Sequence, residues 1–138
     1  VLDLRENELQ HISNLSLMHM SNNLEQINLE SNRLTNIKDL IASISLAKIT
    51  SLLALNLNLN LIEKLDEKFN EIFFNLQVLQ LKGNRISFIG RNIFKNLVNL
   101  IELSLGNNRL RFFNQFVDKF SVLKFLNLDH NNFEKISY

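Results

Sequence analysis

Three histidines, His11, His19 and His130, are the side chains best suited by type to proton transfer or metal binding near neutral pH. Their spacing serves neither purpose. None sits at a metal-ligand interval from a second donor, and the chain has no cysteine for a thiol nucleophile, a zinc site or a disulfide. Asp129 and His130 are neighbours, and successive side chains of a strand point to opposite faces, so the two are expected to diverge. Neither G-x-x-x-x-G-K-S/T nor G-x-G-x-x-G occurs. The sequence therefore supports no catalytic group, no cofactor and no metal. The chemistry left is hydrogen bonding by amides, which carry donors and an acceptor on one side chain.

Those amides recur at a fixed interval. Residues 76 to 99, LQVLQLKGNRISFIGRNIFKNLVN, read as Leu76-x-x-Leu79-x-Leu81-x-x-Asn84-x-Ile86-x-x-Ile89, then Phe94-x-x-Leu97. The same frame returns around Asn7, Asn32, Asn60, Asn84, Asn108 and Asn131, in steps of 25, 28, 24, 24 and 23 residues. A period of this size marks a repeat architecture. Each unit starts with a short strand whose apolar residues point inward, as Leu79 and Leu81 do, and whose alternate residues point out. The turn after each strand leaves buried backbone polar groups to be paired, and the six asparagines are expected to pair them.

The pattern resembles the leucine-rich repeat family over the whole chain. The repeats of about 24 residues, with F-x-x-L in the second half, look like the subclass common in animal extracellular proteins such as Toll-like receptors, Slit and chaoptin. The resemblance implies an α/β solenoid, a curved array with a parallel β-sheet on the concave face and loops or short helical turns on the convex face. It also implies that the phenylalanines of the return segments (Phe69, Phe73, Phe94, Phe116 and Phe120) stack as a spine inside, with Phe74 and Phe112 off the template and partly exposed.

On this frame the outward strand residues form columns. One is Asp3, Asn28, Asn56, Gln80, Ser104 and Asn127; the next is Arg5, Glu30, Asn58, Lys82, Gly106 and Asp129. The surface is polar and amide-rich, suited to hydrogen-bonded protein recognition. The residues expected to meet a partner are Asn28, Glu30, Asn56, Asn58, Leu59, Gln80, Lys82, Ser104, Asn127 and Asp129. Leu59 and Leu61 stand where other repeats carry polar residues or glycine, which invites partner contact; a two-residue register slip is the rival reading. Arg33, Arg85 and Arg109 each follow a ladder asparagine and form a candidate basic ridge for an acidic or sulfated ligand.

Two segments depart from the ruler. The return of repeat two, DLIASISLAKITSL, is long and carries Leu40, Ile44 and Ala47, with Leu46 as an optional fourth, at helical spacing behind Asp39, which predicts one to two helical turns. The first repeat lacks the phenylalanine motif and contains the glycosylation sequon Asn14-Leu15-Ser16. With no proline and three glycines, the turns are expected to be made by asparagine.

The chain has 138 residues, 46% of them apolar, and a formal net charge of +1, which argues against a dedicated nucleic-acid binder. The first 69 residues hold six Lys/Arg and nine Asp/Glu, the rest nine and five, so the halves carry −3 and +4. No apolar run is long enough to span a membrane. Both ends cut through a repeat without a capping module, so the chain reads as an interior excerpt of six repeats from a longer array. The expected function is protein or ligand recognition within a secreted or cell-surface receptor-type protein, with a homo- or hetero-oligomer as an option. An intracellular scaffold fits the absence of cysteine equally well, and the targeting arm of a larger enzyme, with activity outside these residues, is a second alternative.

Overall fold

In a computed structural model of the chain, residues 1–20, 23–65, 68–90, 92–112 and 120–134 are described. Six strands form one parallel sheet in chain order: β1 (Leu2–Asp3), β2 (Gln26–Asn28), β3 (Ala54–Asn56), β4 (Val78–Gln80), β5 (Glu102–Ser104) and β6 (Phe125–Asn127). Each strand is followed by a return segment that leads to the next, giving an open solenoid with the sheet on its concave face.

The register is uniform. Ile27 pairs with Leu55, Leu55 with Leu79, Leu79 with Leu103 and Leu103 with Leu126. Leu55 and Leu57 are fully buried, which excludes the two-residue slip in repeat three. Side chains of period two therefore stack like on like: leucines and isoleucines fill the interior in layers, and each layer is covered by the next.

The phenylalanine spine is present through the described residues. Phe69 packs on Phe73 with ring centroids 4.5 Å apart and meets Phe94 edge-on at 6.3 Å; Phe94 reaches Phe120 at 5.7 Å. Phe74 and Phe112 are exposed, and so is Phe88, a third off-spine ring. Phe113, Phe116, Ile136 and Tyr138 lie outside the described residues.

On the convex side, α1 (Lys38–Leu46) is longer than the one to two turns expected; the 28-residue step between Asn32 and Asn60 accommodates it. Asp39 lies in its first turn, where a carboxylate complements the helix dipole. Leu40, Ile41 and Ile44 face the core, while Leu46 is exposed. Ser43 is also fully buried, and its hydroxyl oxygen accepts a 2.8 Å bond from the Leu17 backbone N–H, tying repeat two to repeat one. The second helix, α2 (Phe69–Ile72), is a single turn that inserts Phe69.

The turns differ from expectation. The residue with left-handed backbone is the one before each ladder asparagine: Glu6, Ser31, Leu59, Gly83, Asn107 and His130, with φ from +47° to +71°. Only Asn107 is an asparagine. The sharp change of direction is a property of the position, and the following Asn stabilises it through its hydrogen bonds.

Candidate binding face on the concave sheet

The ladder asparagines fix the rim of the face. Asn84 Nδ2 donates to Leu57 O of the preceding repeat (2.9 Å) and to Leu81 O of its own (3.0 Å), while its Oδ1 accepts from the Ile62 N–H at 3.0 Å. Asn60 and Asn108 repeat the arrangement, bridging to Leu29 O and Leu81 O and accepting from Leu34 and Ile86. Asn32 accepts from Leu9 N–H and Asn131 from Leu110 N–H. Asn7 is the exception: it is exposed, and its amide donates within its own repeat, to Leu4 O and Arg5 O. A second polar ladder on the return segments was not anticipated. Asn70 Oδ1 accepts from Asn96 N–H at 2.7 Å, and Asn75 and Asn99 donate to Thr50 O and Phe74 O one repeat back. Its signal in the sequence is the 24- to 26-residue recurrence of Asn within the returns.

Within that rim the outward residues are linked side to side. Asn56 Nδ2 donates to Glu30 Oε2 at 3.0 Å. Asn58 Nδ2 donates to Gln80 Oε1 at 3.4 Å, and Gln80 Nε2 donates to Glu102 Oε1 at 3.1 Å. Asn58 Oδ1 accepts from the Lys82 backbone N–H at 2.8 Å. These side chains span β2 to β5 and, Lys82 apart, are half-buried. Glu102 had not been singled out, although it terminates the chain of bonds. Asn28, Asn56 and Asn127 each turn Oδ1 back onto the N–H two residues on, at Glu30, Asn58 and Asp129, so part of their capacity is spent on holding the strand end.

The remaining candidates are less gathered. Ser104 is half-buried on β5, and Asn127 and Asp129 are exposed at the far end. Gly106, expected on the outward surface, is buried: the side chains of Asp129 and Asn127 lie across it, with Asn127 Oδ1 2.5 Å from where a β-carbon would stand. Leu59 is half exposed but leans over Gly83 at the rim, while Leu61 is half-buried.

The histidines separate. His11 and His19 are exposed, and among the described residues no three His, Asp or Glu side chains gather as metal ligands. His130 Nδ1 does contact Asp129 Oδ2 at 3.2 Å, contrary to the expectation that the two diverge. The cause is the left-handed backbone of His130 (φ +47°), which breaks strand alternation at that residue. Among the described residues no helix is long and apolar enough to cross a membrane.

A sheet of stacked parallel strands with a laterally bonded polar face and an asparagine-bonded rim defines a repeat solenoid of the protein-interaction kind. Comparison with known proteins agrees. Residues 74–133 match the family model described as leucine rich repeat. A solved leucine-rich repeat protein of Leptospira interrogans is 32% identical with a TM-score of 0.83, over 99% of this chain and 32% of that one. The ectodomain of the Arabidopsis thaliana receptor kinase SOBIR1 is 26% identical (TM-score 0.69, 96% of this chain, 69% of that one). TLR13, solved in complex with ssRNA13, is 25% identical (TM-score 0.78, 91% and 18%). No curated protein matches. The whole chain shares the fold of solved leucine-rich repeat proteins, and it spans about a third of the length of the Leptospira protein.

Proposed function

We propose that the concave face is a recognition surface for a protein partner, centred on Glu30, Asn56, Asn58, Gln80, Lys82 and Glu102. The observation that carries this reading is the run of side-chain hydrogen bonds from β2 to β5. Bonded amides lose little further rotamer freedom when a partner docks, which lowers the ordering cost of association. Each amide still has unused donor or acceptor capacity. The face therefore favours a polar partner with both donors and acceptors, such as an exposed strand or loop of another protein. Asn28, Ser104, Asn127, Asp129 and Leu59 form the periphery of the proposed surface.

We further propose a receptor-type setting, secreted or at the cell surface. It is supported by similarity to the SOBIR1 ectodomain. The test is affinity capture by the wild-type chain and by an Asn56→Ala/Gln80→Ala/Lys82→Ala variant from the native source. A partner retained by the first and lost by the second, with unfolding curves superposed, supports the reading. A partner held equally by both removes it.

A further inference from the structure

Arg85 and Arg109 follow ladder asparagines directly, and their backbone N–H groups donate to Ile62 O and Ile86 O at 2.9 Å, so they stack in register on neighbouring repeats. The equivalent Arg33 is ion-paired to Glu8 at 3.0 Å. Arg85, Arg109 and the nearby Arg111 are exposed, and among the described residues they make no ion pair or side-chain hydrogen bond. Four residues after each ladder asparagine, Phe88 and Phe112 occupy equivalent positions and are each 61% exposed. Arg109, Arg111, Phe88 and Phe112 line one groove together with Ser87 and Asn132.

Scattered exposed apolar residues are ordinary. Two exposed phenylalanines lining one groove with the guanidinium groups of Arg109 and Arg111, with Arg85 one repeat back, are a different case. Guanidinium presents a planar fork to carboxylates, and the rings offer flat apolar contact beside it. We propose that this edge groove binds an acidic peptide segment of a partner protein, one in which carboxylates alternate with an aromatic or aliphatic side chain. A nucleic-acid strand fits less well. Glu63 and Glu134 occupy the same position as Ser87 and Arg111 on the flanking repeats, so a polyanion running along the edge would meet like charge on either side. A short peptide ends within the basic stretch.

The experiment is fluorescence anisotropy on the 138-residue chain with a labelled peptide alternating glutamate and phenylalanine. Its glutamine counterpart and a labelled oligothymidylate of equal length complete the set. The glutamate peptide should bind at least roughly tenfold more tightly than the glutamine one. Arg109→Glu/Arg111→Glu should weaken it by a similar factor, and Phe88→Ala/Phe112→Ala by about threefold or more. Arg109→Gln/Arg111→Gln, read alongside circular dichroism, separates loss of charge from loss of fold. Asn56→Ala/Gln80→Ala should leave the peptide affinity unchanged, which keeps this result apart from that for the concave face. Tighter binding of the oligonucleotide, absence of peptide binding, or indifference to the arginine substitutions would overturn the proposal.

Discussion

Leu59 lies over Gly83. A β-carbon at residue 83 would come within 2.6 Å of Leu59 Cδ2, and Gly83 itself has φ +71°. Leu59 holds the same left-handed conformation one repeat earlier, at φ +52°. The two residues are thus a matched pair: the bulky side chain is accommodated because its neighbour has none. Gly83→Ala should lower stability by about 1–2 kcal/mol, from the left-handed backbone and the contact with Leu59 together. In a Leu59→Ala background the same change should cost less. Chemical denaturation of the four proteins of this cycle measures the coupling, and strict additivity would refute the pairing.

The asparagine ladder should be unequal in its energetics. Asn84→Ala leaves the buried Ile62 amide without its acceptor and removes one of the two amide donors from each of the Leu57 and Leu81 carbonyls, which Asn60 and Asn108 still reach, and should cost roughly 1–3 kcal/mol. Asn7→Ala removes bonds at an exposed site and should stay within about 0.5 kcal/mol. Equal midpoints for the two variants in urea would contradict the geometry.

Among the phenylalanines, exposure separates those that hold the array together from those available to a ligand. Phe94→Ala empties a fully buried spine position between Phe69 and Phe120, with an expected loss of about 3–5 kcal/mol. Phe88→Ala, at an exposed ring, should change stability by no more than about 0.5 kcal/mol. Thermal melting of both variants is sufficient to tell.

Ser43 tests how locally the repeats respond. Ser43→Ala leaves the Leu17 amide without its buried acceptor, a cost of roughly 1–2 kcal/mol. Because a solenoid is stabilised mainly between neighbours, hydrogen exchange should quicken around Leu17 and remain slow at Leu103, four repeats on. Uniform acceleration along the chain would show a more cooperative array than nearest-neighbour contacts predict.

Much of this architecture can be read in the sequence because the fold demands one residue type at one position. Leu55, Leu79 and Leu103 are interchangeable in the interior, and Asn60, Asn84 and Asn108 make the same three kinds of bond. The left-handed position is not legible in this way. Glu6, Ser31, Leu59, Gly83, Asn107 and His130 share a backbone conformation and no chemistry. The Asp129–His130 contact was missed for that reason, since period-two reasoning fails at a left-handed residue. The bonds across the concave face depend on rotamers of residues more than twenty positions apart, so the columns could be drawn from the sequence but not the links Glu30–Asn56 and Gln80–Glu102. Nothing in the sequence around Ser43 marks it; its role follows from burial and the bond to Leu17.

The long return of repeat two has a bearing on engineering. Between Asn32 and Asn60 the chain takes a longer path, through α1, yet Ile27 and Leu55 pair in the same register as every other repeat. Added length is absorbed behind the sheet and does not propagate to the front. The back of the array is thus a site for grafting: a short Gly/Ser segment after Lys48, an exposed residue already in left-handed conformation, should leave the strand register intact. The same segment placed after Asn56 should break the stack. Comparing the two inserts by circular dichroism would establish which side of the molecule can carry new cargo.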